Sequence, residues 1–163
     1  MSDILKIQDL DPFFKDELAQ EPGCQHLRRC FSCGVCTASC PVSELEPGFS
    51  PSLIIRHVLY GLKGPLLSSP ALWYCLRCAQ CSFQCPQDVR FLDLIQGLRN
   101  MALREGRVSA ARVAQLASAE RLIQELRRRL IAALLKGPET DVDLIDTLTG
   151  LLTDLPHSSG RES

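Results

Sequence analysis

The stretches CFSCGVCTASCP at residues 30–41 and CLRCAQCSFQCP at residues 75–86 are two copies of one spacing, Cys-x2-Cys-x2-Cys-x3-Cys-Pro. They hold eight of the nine cysteines: Cys30, Cys33, Cys36 and Cys40, then Cys75, Cys78, Cys81 and Cys85. Each recurs at an offset of 45 residues. Three thiols at steps of three let a loop curl around one corner of a polynuclear centre, with the backbone amides between them facing the sulfurs. The fourth thiol stands where Pro41 or Pro86 turns the chain away.

The same run occurs in bacterial ferredoxins that hold two 4Fe–4S clusters, where the fourth cysteine serves the other cluster. Carried over, cluster one takes Cys30, Cys33, Cys36 and Cys85, and cluster two takes Cys75, Cys78, Cys81 and Cys40. All eight thus become iron ligands through two 4Fe–4S clusters. Crossed ligation would stitch the two copies together and put the clusters at the centre of the core, which should then not form without iron and sulfide. Two other uses of cysteine fit less well. Structural zinc pairs two separated Cys-x2-Cys knuckles instead of packing four ligands into one short run. A disulfide framework suits neither an odd cysteine count nor a reducing compartment.

The chain of 163 residues suits one modest domain with an appendage, and its net charge of −1 shows no basic excess of the kind nucleic-acid binding needs. The N-terminal MSDILKIQDLDPFF has no positive n-region, no long apolar stretch and no small-residue cleavage site. Apolar runs such as Leu130 to Leu135 fall far short of the ~20 residues that span a bilayer. A cytoplasmic protein without direct membrane insertion is expected.

Helical spacing and punctuation point to an all-α fold, with no run of alternating β-branched residues. Asp11 and Pro12 open a short helix through FFKDELAQ that ends at Glu21-Pro22-Gly23. Ser50-Pro51 opens a second through LIIRHVLY to Gly61. The stretch GLKGPLLSSPALWY admits only short turns. Asp88 caps a helix running to about Glu105, stopped by Gly106. From Ser109 to Lys136, Leu116, Ile123 and Leu130 recur every seven residues. Thr140, with Asp143 three residues on, caps a last helix whose stripe is Ile145, Leu148, Leu152 and Leu155. The expected domains are an arm at 1–23, a dicluster domain at 24–106, a helical hairpin or docking arm at 107–155 and a disordered tail at 156–163.

Four cysteines per cluster leave no open iron site, so such centres carry electrons and do not bind substrate. No Gly-rich phosphate loop and no catalytic residue is identified. His57 reads as a packing or surface residue, and His157 lies in the tail. Cys24 with His26 could pair as nucleophile and base, but no third group orients them, and Cys24 reads better as a small buried thiol. Each loaded cluster brings a charge of about −2, taking the chain to roughly −5. Arg28, Arg29, Arg77 and Arg90 flank the motifs and could offset it. Trp73 and Tyr74 are expected to cover a cluster. Motif one carries Ser32, Gly34, Thr37 and Ser39, whereas motif two carries Leu76, Ala79 and Phe83. Hydrogen bonds to sulfur raise a cluster's potential and dry surroundings lower it, so the motif-one cluster is expected to have the higher potential.

CFSCGVCTASCP, SPSLIIRHVLYGL, WYCLRCAQCSFQCP and the helix after Asp88 together resemble the C subunits of heterodisulfide reductases, over about residues 24–106. The resemblance implies an α-helical ferredoxin-like core around two 4Fe–4S clusters, with the eight motif cysteines carried over one for one. It also implies a hetero-oligomer of heterodisulfide reductase type. In it the chain relays electrons between a flavin- and cluster-bearing A component and a catalytic, disulfide-converting B component that carries iron–sulfur clusters of its own. The cysteine pattern is shared with the iron–sulfur subunits of succinate dehydrogenase and fumarate reductase, and with glycolate oxidase. A relay for a membrane quinone-linked reductase is therefore the alternative, and an iron–sulfur redox sensor a further one. The complete second motif, the tryptophan before Tyr74 and Cys75 and the small size favour the heterodisulfide reductase type.

Overall fold

The computed structural model describes residue 7, residues 10–136 and residues 144–153. Every regular element among them is helical, as the spacing of apolar residues predicts. None of these helices is long and apolar enough to cross a membrane. The chain divides into two compact units, Met1–Ser109 and Ala110–Ser163.

In the first unit, α1 (Phe14–Ala19), α2 (Val35–Ala38), α3 (Pro41–Leu45), α4 (Pro51–Leu59), α5 (Lys63–Leu67), α6 (Gln80–Phe83) and α7 (Phe91–Arg104) surround one core. Two of these are long enough to carry a full apolar face. Helix α4 starts where the sequence says it should: the Ser50 hydroxyl accepts the Leu53 N–H, Pro51 occupies the first turn, and Ile54, Ile55 and Val58 are buried. Helix α7 buries Phe91, Leu94, Ile95, Leu98, Met101 and Ala102. Each fully buried leucine or phenylalanine contributes about 1.5–3 kcal/mol. Both helices end at a left-handed glycine 45 residues apart, Gly61 and Gly106.

Two expected caps are corrected. Asp11 accepts the Phe13 N–H at 2.9 Å and forms a turn, while α1 begins only at Phe14. Asp88 lies in a left-handed turn and α7 begins at Phe91, after Arg90, also left-handed. The chain has to swing away from Cys85 before it can turn helical. The Leu92 N–H, unsatisfied within the helix, goes to the Ser82 hydroxyl of α6 at 3.2 Å. Helix α7 is thus capped from the second cysteine loop.

Lys63 ties three segments, with Nζ 2.5 Å from Glu17, 2.7 Å from Glu105 and 3.9 Å from Asp11. Helix α7 meets α1 through Gly97, where a methyl group would lie 2.9 Å from Leu18 Cδ1 and 3.1 Å from Cys24 Sγ.

The second unit consists of α8 (Ala110–Lys136) and α9 (Leu144–Thr153), which lie against each other. Helix α8 has no buried residue. Ile123, Leu135 and Ile145 are exposed, whereas Leu116, Leu130 and Leu148 are partly covered. The Thr140 cap, the loop before it, Leu155 and the tail at 156–163 lie outside the described residues.

Candidate metal centre

The two cysteine loops share one backbone. Ser32 (φ 60°) and Gly34 (φ 80°) are left-handed in the first, Arg77 (φ 58°) and Ala79 (φ 64°) at the matching places in the second. A one-turn helix follows each, α2 and α6. Three of these four residues carry a Cβ, and holding each left-handed costs about 1–2 kcal/mol. Left-handed residues in a tight loop can turn backbone N–H groups toward one concave point, an arrangement that suits an anionic centre. Accordingly the Arg77 N–H donates to Cys75 Sγ and the Val89 N–H to Cys85 Sγ, both at 3.4 Å.

Cys30, Cys33, Cys36 and Cys85 line one cavity, walled by Ile55, Val89 and Phe91. Cys40, Cys75, Cys78 and Cys81 line a second, walled by Val42, Phe49 and Leu92. Cys81 and Phe91 belong to both, so a single layer of side chains separates the cavities. Cys33 and Cys78 are exposed and open the two sites to the surface. Among the described residues no three Cys, His, Asp or Glu side chains converge closely enough to hold a single metal ion. The thiols stand around spaces instead. Four soft donors, apolar walls and inward amides suit a 4Fe–4S cluster in each.

Burial pushes the Cys36 thiol above its usual range, reinforced by Cys30, Cys33 and Cys85, while the Thr37 hydroxyl works against the shift. Cys81 rises to about 11, chiefly by burial and then through Cys75, Cys78, Cys36 and Cys40. Cys75 rises mainly by burial too, opposed by the Arg77 amide and the Arg99 charge. Thiols crowded out of water keep their protons until a cationic iron core takes the thiolates, so iron binding should release protons.

The other expected site residues are placed less uniformly. Arg28, Arg29, Arg77 and Arg90 are exposed; Arg28 pairs with Asp16, and Arg90 with Asp93 at 3.5 Å. Neither Trp73 nor Tyr74 lines either cavity: Trp73 stacks on Arg99, and Tyr74 faces solvent. Cys24 is fully buried, its pKa pushed up to about 12 by burial, then by Asp93 and Glu21, while His26 Nδ1 sits 3.1 Å from the Asp88 carbonyl. A thiol held protonated and a ring engaged elsewhere make no nucleophile–base pair. His57 on α4 is half-buried, and burial lowers its pKa.

Two features were not foreseen. Thr37 Oγ1 lies 2.8 Å from Ser52 Oγ and 3.0 Å from Ser50 Oγ, and accepts the Ser52 N–H at 3.0 Å. This joins loop one to the start of α4. Arg99 on α7 is buried, 6% exposed, and donates to the Leu72 and Cys75 carbonyls. Its signal was present in the sequence: Ile95, Arg99 and Ala102 follow the i, i+4, i+7 pattern, which puts a charge on the apolar face.

Comparison with known proteins agrees with this geometry. Residues 29–90 match the family model described as a 4Fe-4S dicluster domain. The C subunit of the H(2):CoB-CoM heterodisulfide,ferredoxin reductase of Methanothermobacter thermautotrophicus is 35% identical over 108 residues, covering 66% of this chain and 57% of the relative. The iron-sulfur C subunit of the CoB–CoM heterodisulfide reductase of Methanopyrus kandleri is 32% identical over 115 residues, covering 66% and 59%. The C subunit of the ferredoxin:CoB-CoM heterodisulfide reductase of Methanosarcina acetivorans is 39% identical over 80 residues, covering 49% and 32%. The chain therefore spans less than two thirds of the length of these relatives. With its doubled cysteine loops and two cavities, the chain is similar to the C subunits of heterodisulfide reductases, and its residues 29–90 match a 4Fe–4S dicluster domain.

Proposed function

We propose that this chain is an electron-transfer subunit of a heterodisulfide reductase-like complex. It passes electrons between the flavin- and cluster-bearing A component and the disulfide-converting B component. The observation that carries the reading is the pair of adjacent cavities, one lined by Cys30, Cys33, Cys36 and Cys85, the other by Cys40, Cys75 and Cys78, with Cys81 and Phe91 in the walls of both. In this reading Cys30, Cys33, Cys36 and Cys85 hold cluster one, and Cys75, Cys78, Cys81 and Cys40 hold cluster two. The clusters supply one-electron storage; the chain's residues hold, dry and separate them. With all four positions of each cluster taken by thiolates, no site is left for substrate, and the disulfide chemistry belongs to the partner. Exposed Cys33 and Cys78 mark where electrons enter and leave. The α8–α9 pair, with Ile123, Leu135 and Ile145 exposed, serves as a docking arm toward another member of the complex.

The test is anaerobic purification from the native cell, with iron counting and mass spectrometry of what comes along. About eight irons per chain are expected, together with co-recovery of a flavoprotein and a second iron–sulfur protein. A chain recovered alone, with zinc and no iron, would end the relay reading. Cys85→Ser should remove the EPR signal that Cys30→Ser removes, and loss of the other signal would overturn the crossed ligand sets.

A further inference from the structure

Among the described residues, Arg99 alone is both charged and buried, at 6% exposure. Its side chain leaves α7 between Leu98 and Met101, which show no exposed surface. Nε donates to the Leu72 carbonyl at 2.7 Å and Nη2 to the Cys75 carbonyl at 3.3 Å. Its guanidinium carbon stands 5.2 Å from the centroid of Trp73. One planar fork thus joins the turn Pro70–Trp73 to the first ligand residue of loop two. That carbonyl belongs to the same residue as the sulfur lining the second cavity. Away from water, a fixed positive charge at this range acts with little screening. At the place 45 residues earlier in the chain stands Ile54, buried and uncharged.

We propose that Arg99 is a positioning residue for loop two that also sets the redox level of the centre held there. Its fork fixes the Leu72 and Cys75 carbonyls, and its charge favours the reduced state of the second cluster selectively. One-electron reduction adds one negative charge and breaks no bond, so a nearby buried cation stabilises the reduced form and raises the potential. This inference rests on the two-cluster reading above. It works against the expectation that the motif-one cluster has the higher potential, because it adds a stabilising term only on the motif-two side.

The test compares the parent with Arg99→Met and Arg99→Lys. Iron is counted, and a dithionite titration is followed by EPR with signals assigned through Cys33→Ser and Cys78→Ser. At the parent's loop-two midpoint, Arg99→Met is expected to show at least a tenfold lower reduced-to-oxidised ratio, equivalent to about 59 mV for a one-electron couple. The loop-one signal should stay in place, and Arg99→Lys should recover most of the shift. Both clusters retained in Arg99→Met with unmoved potentials, or with both potentials moved alike, would overturn the proposal. If Arg99→Met loses the loop-two cluster, the lysine variant decides. Both clusters at the parental potential support the charge role, and both clusters with a lowered loop-two potential refute it. A parent holding fewer than two clusters defeats the relay reading itself; two clusters without a selective shift defeats only the role of Arg99.

Discussion

Behind the first cysteine loop the structure places hydroxyl groups; behind the second it places a buried cation. Thr37, Ser50 and Ser52 fasten loop one to the start of α4, whereas Arg99 reaches from α7 to hold the carbonyls of Leu72 and Cys75. The loops themselves have the same left-handed positions and the same following turn. Their repeated spacing dictates the repeated backbone, because three thiols at steps of three facing one centre leave few ways to run the chain. What backs each loop is not repeated, and the two halves have separated there. Equal donor sets with unequal surroundings are what two centres of different potential require.

The comparison can be broken most severely by removing what both loops face. Stripping iron and sulfide with a chelator under denaturing conditions should leave a first unit that does not refold, since metal binding contributes on the order of 10 kcal/mol in small metal-dependent domains. Circular dichroism melts before and after would register this, and a melt unchanged by chelation would show that the core forms without the clusters.

The glycines that end α4 and α7 give the next largest contrast. At Gly61 an added Cβ would sit 2.3 Å from the Asp11 carbonyl oxygen, on a residue already at φ 80°. At Gly106, with φ 67°, the same Cβ meets nothing within 4 Å. Gly61→Ala should therefore cost about 2–5 kcal/mol, and Gly106→Ala only about 1–2 kcal/mol. Urea midpoints of the two variants decide it; equal losses would mean that Asp11 yields.

A smaller contrast separates Gly34 and Ala79, the matched left-handed positions within the loops. Gly34→Ala has open space around the new methyl and should lose about 1 kcal/mol through backbone strain alone. Ala79→Gly should gain about 0.5 kcal/mol, because relief of strain slightly exceeds the added freedom of the unfolded chain. Denaturation of the loaded protein tests the opposite signs.

A contrast seen only at alkaline pH lies at Cys24, outside both loops. Its folded pKa of about 12 exceeds the ordinary thiol value of 9.0, so the unfolded chain loses its proton first as pH rises. The stabilising difference is whole below pH 9 and is lost progressively as pH climbs toward 12. Cys24→Ala should flatten that alkaline decline in urea midpoints, and an unchanged slope would place the titration elsewhere.

The cysteine loops, the start of α4, the glycine stops and the long α8 were all legible in sequence, because each depends on residues a few positions apart. Asp88 misled for the same reason. Its place before an apolar helical pattern looks like a cap, yet the cap of α7 comes from Ser82, ten residues before the Leu92 whose N–H it accepts. Trp73 misled because its neighbour in sequence is a cysteine loop, while its neighbour in space is Arg99.

By itself, the sequence determined the donor type, the doubled spacing, the helical class and the places where helices stop. These follow from side-chain chemistry, periodicity and the freedom of glycine, all of them local. Tertiary structure alone decided which hydroxyl caps α7 and which carbonyls the Arg99 side chain meets. Those depend on how α4 and α7 pack around the two loops, and burial turns Arg99 from a charge on a helix into one fixed beside Cys75.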